Sequence, residues 1–309
     1  MGWVAVGCVL WATACHSLTK QEGNNQESVT SGKPVRHGFS RPVPPQAIVD
    51  PQKRVSWLVE HYWDTYDFRD TTLIADPEIA EQAFVDFIVL LPRVEKTAAD
   101  HALSRMVDST AAMMRVFEYF TDLSEKYFYD PNSPYRSDDA YIAVLKAILK
   151  APVDSLYKIR PEYQLQMLLK NRPGEVAADF RYVGTDGKQG RLSAIKADYT
   201  LVFFHDPECP ECNRVKEYME LNPVFGEAAA SSKLMVLGLY LDENIDAWKK
   251  EPHPAFMLNA RDMNQEITKK ALYDIRAIPT LYLLDRQKRV ILRDITIEHL
   301  GRYLSAELQ

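Results

Sequence analysis

From Asp50 onward the apolar residues of this chain recur at helical spacing. Asp50-Pro51 reads as an N-cap and a first helical position, after which Val55, Leu58, Val59, Tyr62, Trp63 and Tyr66 share one face. Asp76-Pro77 repeats that start, with Ile79, Ala83, Phe84, Phe87, Ile88 and Leu91 on one side until Pro92. The segment 95–129 carries Leu103, Met106, Val107, Thr110, Met114, Phe117, Phe120 and Tyr127, which predicts one long helix or two in succession. Ser137 opens another over Tyr141, Val144, Leu145 and Ile148, and a last one runs from about Arg160 to Asn171. Aromatic and methionine stripes at this spacing predict a helical core over 50–172. After Pro173-Gly174 the period shortens. Segments 180–183, 200–204, 234–241, 280–284 and 290–292 read as strands, and 210–221, 243–250, 263–272 and 296–307 as helices. Strand–helix alternation closed by a hairpin and a helix predicts an α/β layer structure around a mixed sheet over 173–309.

The chain has 309 residues, 46% hydrophobic and 26% charged, which suits two folded units with ordinary cores. A net charge of −6 and the lack of any basic run with interleaved aromatics exclude a nucleic-acid footprint. Residues 1–15 are apolar up to Ala14, too few to span a bilayer, and the small-residue end Ala12-Thr13-Ala14 fits an export signal. With Cys15 next, the stretch resembles a bacterial lipoprotein signal, which implies a lipid anchor on Cys15 and a location in the cell envelope. No Lys or Arg precedes Lys20, a departure from that pattern. Residues 16–49, rich in Gly, Ser, Asn and Pro without apolar period, read as a disordered linker. Asp64, Asp67 and Asp70 lack the Gly and closing Glu of a calcium loop and predict a solvated turn.

Export commits Cys15 and removes Cys8, which leaves Cys209 and Cys212 as the pair available for chemistry in an oxidising compartment. Strand 200–204 ends just before His205-Asp206-Pro207-Glu208-Cys209-Pro210-Glu211-Cys212, where Pro210 suits the first turn of a helix. Cys209 is then expected at a helix N-terminus, where amides and macrodipole favour a thiolate, with Cys212 one turn further in as a shielded partner. That is the geometry of dithiol exchange. Ala277-Ile278-Pro279-Thr280 stands before a strand, and a cis Ile278–Pro279 bond would leave the edge of Ile278 open to an extended polypeptide.

A strand, CxxC opening a helix, and a distant Ile-Pro-Thr before a hairpin and terminal helix together resemble the thioredoxin family. The stretches PGEVAADFRYVGTDGKQGRLSAI, LMVLGLYLDEN and YDIRAIPTLYLLD are similar to its TlpA/ResA-type and redoxin-like envelope branch. The helical half, with YWDTYDFRDTTLIADPEIAEQAFVDFI, resembles a domain of unknown function that precedes such modules in Gram-negative envelope proteins. The resemblance implies a thioredoxin fold preceded by an all-α domain, Cys209 attacking, Cys212 resolving and Pro279 cis beside them. It implies protein thiols and disulfides as substrates, a membrane or periplasmic electron donor, and no cofactor or metal.

Three positions depart from the family. Phe203 stands where a buried acid commonly manages the resolving thiol's proton, Glu208 where a tryptophan is usual, and Pro210-Glu211 replaces Gly-Pro. Asp206, Glu208 and Glu211 oppose the helix-end stabilisation of a Cys209 thiolate, which predicts a more reducing couple and either a reductase or a domain of weakened activity. His205 is read either as a proton shuttle or as a surface residue at a strand end. A zinc site from Cys209, Cys212, His205 and His253 would lack the second close-spaced pair of structural sites. A peroxidase would need Thr or Ser three residues before its cysteine, where Cys212 has Cys209. The alternative outside catalysis is an envelope scaffold that binds clients and holds Cys209 and Cys212 in a structural disulfide.

Overall fold

A computed structural model describes residues 38–242 and 244–308. The expected lipidation site Cys15, the signal segment and most of the linker lie outside the described residues.

The helical half contains α1 (Pro51–His61), α2 (Ala80–Ile88), α3 (Lys96–Thr110), α4 (Met114–Ser124), α5 (Asp138–Lys150) and α6 (Leu156–Leu168). Asp50 caps α1 by accepting from the Lys53 amide at 2.9 Å, and Pro51 takes the first helical position. Asp76 does not open α2 directly. Its carboxylate accepts from Glu78 N at 3.0 Å and closes a turn, so the helix starts at Ala80. The segment 95–129 breaks at residues 111–113, and its last turn, Glu125–Tyr129, widens to a π-helix. The final helix starts at Leu156 rather than near Arg160, with Pro161 inside it. Tyr157, whose carbonyl would accept from a non-proline residue 161, is exposed, so the lost bond lies on the solvent side. The aromatic stripes are core: the Trp63 ring lies 5.3 Å from Phe87 and 5.4 Å from Phe120, edge to face. Asp67 and Asp70 each accept a backbone N–H two residues on, and Asp64 pairs with His61 and Arg105, so these acids build a turn.

The second half carries a seven-stranded mixed sheet. Its strands are β1 (Arg181–Gly184), β2 (Gln189–Arg191), β3 (Tyr199–His205), β4 (Leu234–Tyr240), β5 (Met257–Asp262), β6 (Thr280–Leu284) and β7 (Val290–Arg293), in the order β2-β1-β5-β4-β3-β6-β7. β3 runs parallel to β4 and antiparallel to β6. Alternation along β3 sends Leu201 and Phe203 into one core and Val202 and Phe204 into the other. α7 (Pro210–Leu221), α8 (Pro223–Ala230) and α11 (Ile297–Glu307) contribute to the first of these cores. Four features depart from the sequence pattern. β2 is a three-residue edge strand. β5 buries the polar Asn259 and Asp262, which hides its alternation. α8 is a separate short helix capped by Asn222, whose side chain accepts from Val224 N at 3.2 Å. Segment 263–272 holds only a 3-10 turn and the short α10 (Glu266–Lys269), because Asn264 and Gln265 have positive φ. α9 (Ile245–Lys250) covers most of the helix expected from 243.

Among the described residues, the core of the helical half draws on residues 59–168 and the two sheet cores on residues 177–304, with none in common. The seam between halves is polar. Asp138, at the start of α5, accepts from Arg276 at 3.0 Å and from Arg293 Nε at 3.1 Å. Arg276 also reaches Asp294 at 2.7 Å, and Arg293 donates to the Lys170 carbonyl at 2.7 Å.

Candidate active site

Cys209 caps α7 with its own sulfur. Its Sγ accepts from the Cys212 amide at 3.1 Å, and Pro210 fills the first position, where no intrahelical partner is needed. The sulfur is half-buried and lies 3.7 Å from the Ile278 carbonyl oxygen, and the Ile278–Pro279 bond is cis. Cys212 is fully buried, and both thiols are unbridged. Burial pushes the Cys212 thiol far above its ordinary value, with the Cys209 sulfur adding to that, against a smaller downward pull from Lys216. One cysteine is therefore accessible beside the Ile278 edge. The other is held as a neutral thiol beneath it.

His205 is neither at the surface nor alone. It is 1% exposed, and its Nδ1 lies 3.1 Å from Glu251 Oε1, which also receives the Lys216 ammonium. The side chains of Glu251 and Lys216 are buried too. Burial alone would raise the Glu251 carboxyl, but His205 and Lys216 outweigh it and hold the group below the usual carboxylate range. Lys216 follows Cys212 by one helical turn and so lies on the same face of α7. The buried charge absent at Phe203 is thus present nearby, carried by α7 and the segment after α9. Gly238 on β4 makes the arrangement feasible: a Cβ there would stand 2.5 Å from Met257 Cε and 3.1 Å from His205 Nε2.

The model of a domain of unknown function, DUF5106, matches residues 14–171. A thioredoxin-like protein from Bacteroides caccae is 40% identical over 87% of this chain and 98% of its own, with a TM-score of 0.82. This chain belongs to the thioredoxin-like proteins that carry a DUF5106 domain. The C-terminal domain of an uncharacterized protein from Bacteroides fragilis is 41% identical over 44% of this chain and 98% of its own, with a TM-score of 0.42. A domain of a possible thiol-disulfide isomerase from Cytophaga hutchinsonii is 27% identical over 45% of this chain and 95% of its own, with a TM-score of 0.38. No curated protein matches the chain.

The acids around the thioredoxin-like dithiol are not equivalent. Arg214 binds Glu211 at 2.6 and 2.8 Å and Glu298 at 2.6 Å, so the Glu211 charge is largely compensated. Of the other two acids expected to act there, Asp206 is half-buried and accepts from Glu208 N at 2.7 Å, and Glu208 is exposed. His253 turns its Nδ1 to the Glu251 carbonyl at 2.9 Å. Among the described residues no group of three His, Cys, Asp or Glu side chains is placed to hold a metal ion, and no helix is long and apolar enough to cross a membrane. Sequence reasoning missed Glu251 and Lys216. Glu251 sits in Lys-Lys-Glu-Pro-His-Pro, where nothing marks burial, and Lys216 looks like any solvated helix residue. A signal did exist: Lys216 falls at i+4 from Cys212, on the buried face of α7.

Proposed function

We propose that the protein is a thiol-disulfide oxidoreductase of the bacterial cell envelope, acting as a reductase of protein disulfides. The observation that carries this reading is the Cys209 sulfur, which caps α7, is open to solvent on one side and faces the Ile278 carbonyl at 3.7 Å. The Cys209 thiolate attacks one sulfur of a substrate disulfide. A mixed disulfide forms, and the second substrate sulfur leaves as a thiolate that takes a proton. Cys212 then gives up its proton and attacks Cys209 Sγ, which releases the first substrate sulfur and closes the Cys209–Cys212 disulfide. Two electrons have passed to the substrate, and an envelope dithiol donor restores the reduced pair. Lys216, whose charge acts on the Cys212 thiol, is paired in the interior with Glu251, which also holds His205, so this buried trio is placed to influence the proton of Cys212.

Replacing Cys212 with alanine should halt the reaction at the mixed disulfide. Mass spectrometry of the variant after incubation with an oxidised peptide should show one peptide on Cys209, whereas the wild-type protein should show none and turn over. A wild-type disulfide that stays closed against dithiol donors would instead mean a structural bridge and a client-binding scaffold.

The reducing direction rests on the two carboxylates in the turn before Cys209 that have no cationic partner among the described residues, Asp206 and Glu208, because negative charge beside a dithiol favours its disulfide form. One screened carboxylate a few ångströms away is worth about 1 kcal/mol, or ~20 mV for a two-electron couple. Glu208→Gln should accordingly move the potential ~20 mV toward oxidising, read by equilibration with glutathione. An unchanged potential would show that the carboxylate is fully screened. Anchoring through a lipid on Cys15 completes the reading: Cys15→Ala should shift the protein from the membrane to the soluble fraction, and unchanged sedimentation would remove the anchor from the proposal.

A further inference from the structure

A cleft of about 930 Å³ opens between the two halves beside the dithiol. Its thioredoxin-like wall includes Asp206, Tyr240 and Ile278, and its helical wall includes Asp130 and Tyr163. Ile278 thus belongs to the cleft, while its carbonyl lies 3.7 Å from Cys209 Sγ. A chain laid along the cleft runs past the nucleophile. The helical wall is held in place: the Tyr129 carbonyl accepts from Arg276 at 3.0 Å, and that guanidinium sits 4.7 Å over the Tyr129 ring. This fixes the turn that leads into Asp130.

The charge of the cleft is one-sided. Its two cations are already paired, Lys126 with Glu81 and Arg276 with Asp138 and Asp294 outside the cleft and with Asp274 in its lining. Asp130 and Asp206 face the same space and accept only backbone amides, from Asn132 at 2.8 Å and Glu208 at 2.7 Å. Glu125 and Asp274 also line the cleft but are paired with Arg160 and Arg276, and the exposed Glu208 stands next to the entrance at Cys209. Exposed Tyr163 offers an apolar face between these charges. The volume is near the upper end for small-ligand pockets and accommodates several residues of extended chain.

We propose that the DUF5106 half is the second wall of the substrate cleft, and that it selects extended polypeptide segments with Lys or Arg beside the reactive cysteine. The proposal rests on the oxidoreductase reading for the reaction, but the binding it describes is independent of the thiols. Placing Lys or Arg against Asp130 and Asp206 supplies the counter-charge the cleft lacks, and the effect should weaken with salt.

The test uses the full chain and two probes. The first is a fluorescein-labelled peptide without cysteine, made in a lysine-rich and a glutamate-rich form, whose binding is read by anisotropy. The second is the same pair of sequences closed by an internal disulfide, whose reduction is read as kcat/KM. The lysine-rich forms should be favoured by about tenfold in both at low salt. Asp130→Lys, in the helical half, should reduce the ratio between the two forms about fivefold or more, and Asp130→Asn should reduce it less. Reduction of both disulfides at equal rates, or a ratio unmoved by Asp130→Lys, would overturn the cleft proposal and leave the redox reading intact. Charge-dependent binding that responds to Asp130→Lys, without reduction of either disulfide, would support the cleft and overturn the oxidoreductase.

Discussion

Asp138→Ala should lower the midpoint of thermal unfolding by on the order of 10 °C. The Asp138 carboxylate serves two buried guanidinium groups, Arg276 and Arg293. Its removal leaves both with less counter-charge, and breaking a buried ion pair from one side costs about 3–5 kcal/mol. The pH dependence has a definite sign. Burial would raise this carboxyl, but Arg293 and Arg276 outweigh burial and hold it below the ordinary 3.8. A group depressed in the folded state stabilises the fold above its unfolded value and loses that contribution as pH falls through the folded one. The gap between wild type and variant should be full at pH 6 and should close as pH falls below about 4. Calorimetry at pH 6 and pH 3 measures it, and an equal gap at both would mean that the carboxylate's charge is not what is lost. Both sheet cores lie wholly within 177–304, so the damage should appear first as separation of the halves.

Glu251→Gln should have the second large effect, and it should split into two parts. Stability should fall by about 3 kcal/mol, because Lys216 loses the carboxylate that balances it in the interior. The resolving step should also slow, since Cys212 is a buried neutral thiol that has to lose its proton there. Pairing the change with Lys216→Met separates the two, because the double variant contains neither buried charge. Urea unfolding should recover in the double variant, while quenched reaction mixtures should still accumulate mixed disulfide on Cys209. If release from Cys209 is as fast in Glu251→Gln as in wild type across pH 6 to 9, the carboxylate has only a packing role.

The sequence made the reactive pair legible because its chemistry is local. Pro210 between the cysteines fixes a helix start, and a helix start places one sulfur at the tip and the other inside. The strands β3, β4 and β6 were legible for the opposite reason, since their buried runs are long and apolar, and the short β7 followed from the turn that pairs it with β6. β5 was not, because Asn259 and Asp262 satisfy buried groups, Trp248 Nε1 at 2.8 Å and the amides of Glu266 and Ile267 at 3.0 and 2.8 Å. Polar residues that work inside a fold look like loop residues in the chain. The same holds for Glu251, Lys216 and the Asp138 seam, each made by partners far apart in sequence. His205 shows the limit from the other side: its residue type suggested two roles, and its place at the buried end of β3 beside Glu251 followed from neither.

The Cys209 sulfur has two occupations, and it cannot hold both at once. In the resting dithiol it caps an amide in the first turn of α7, that of Cys212. Once a substrate sulfur is bonded to it, it carries no negative charge and accepts hydrogen bonds poorly. The amide it was serving belongs to the residue that must now come forward. The first turn of α7 is therefore least tightly held during the interval in which Cys212 has to move toward Cys209, and it tightens again when the dithiol is restored.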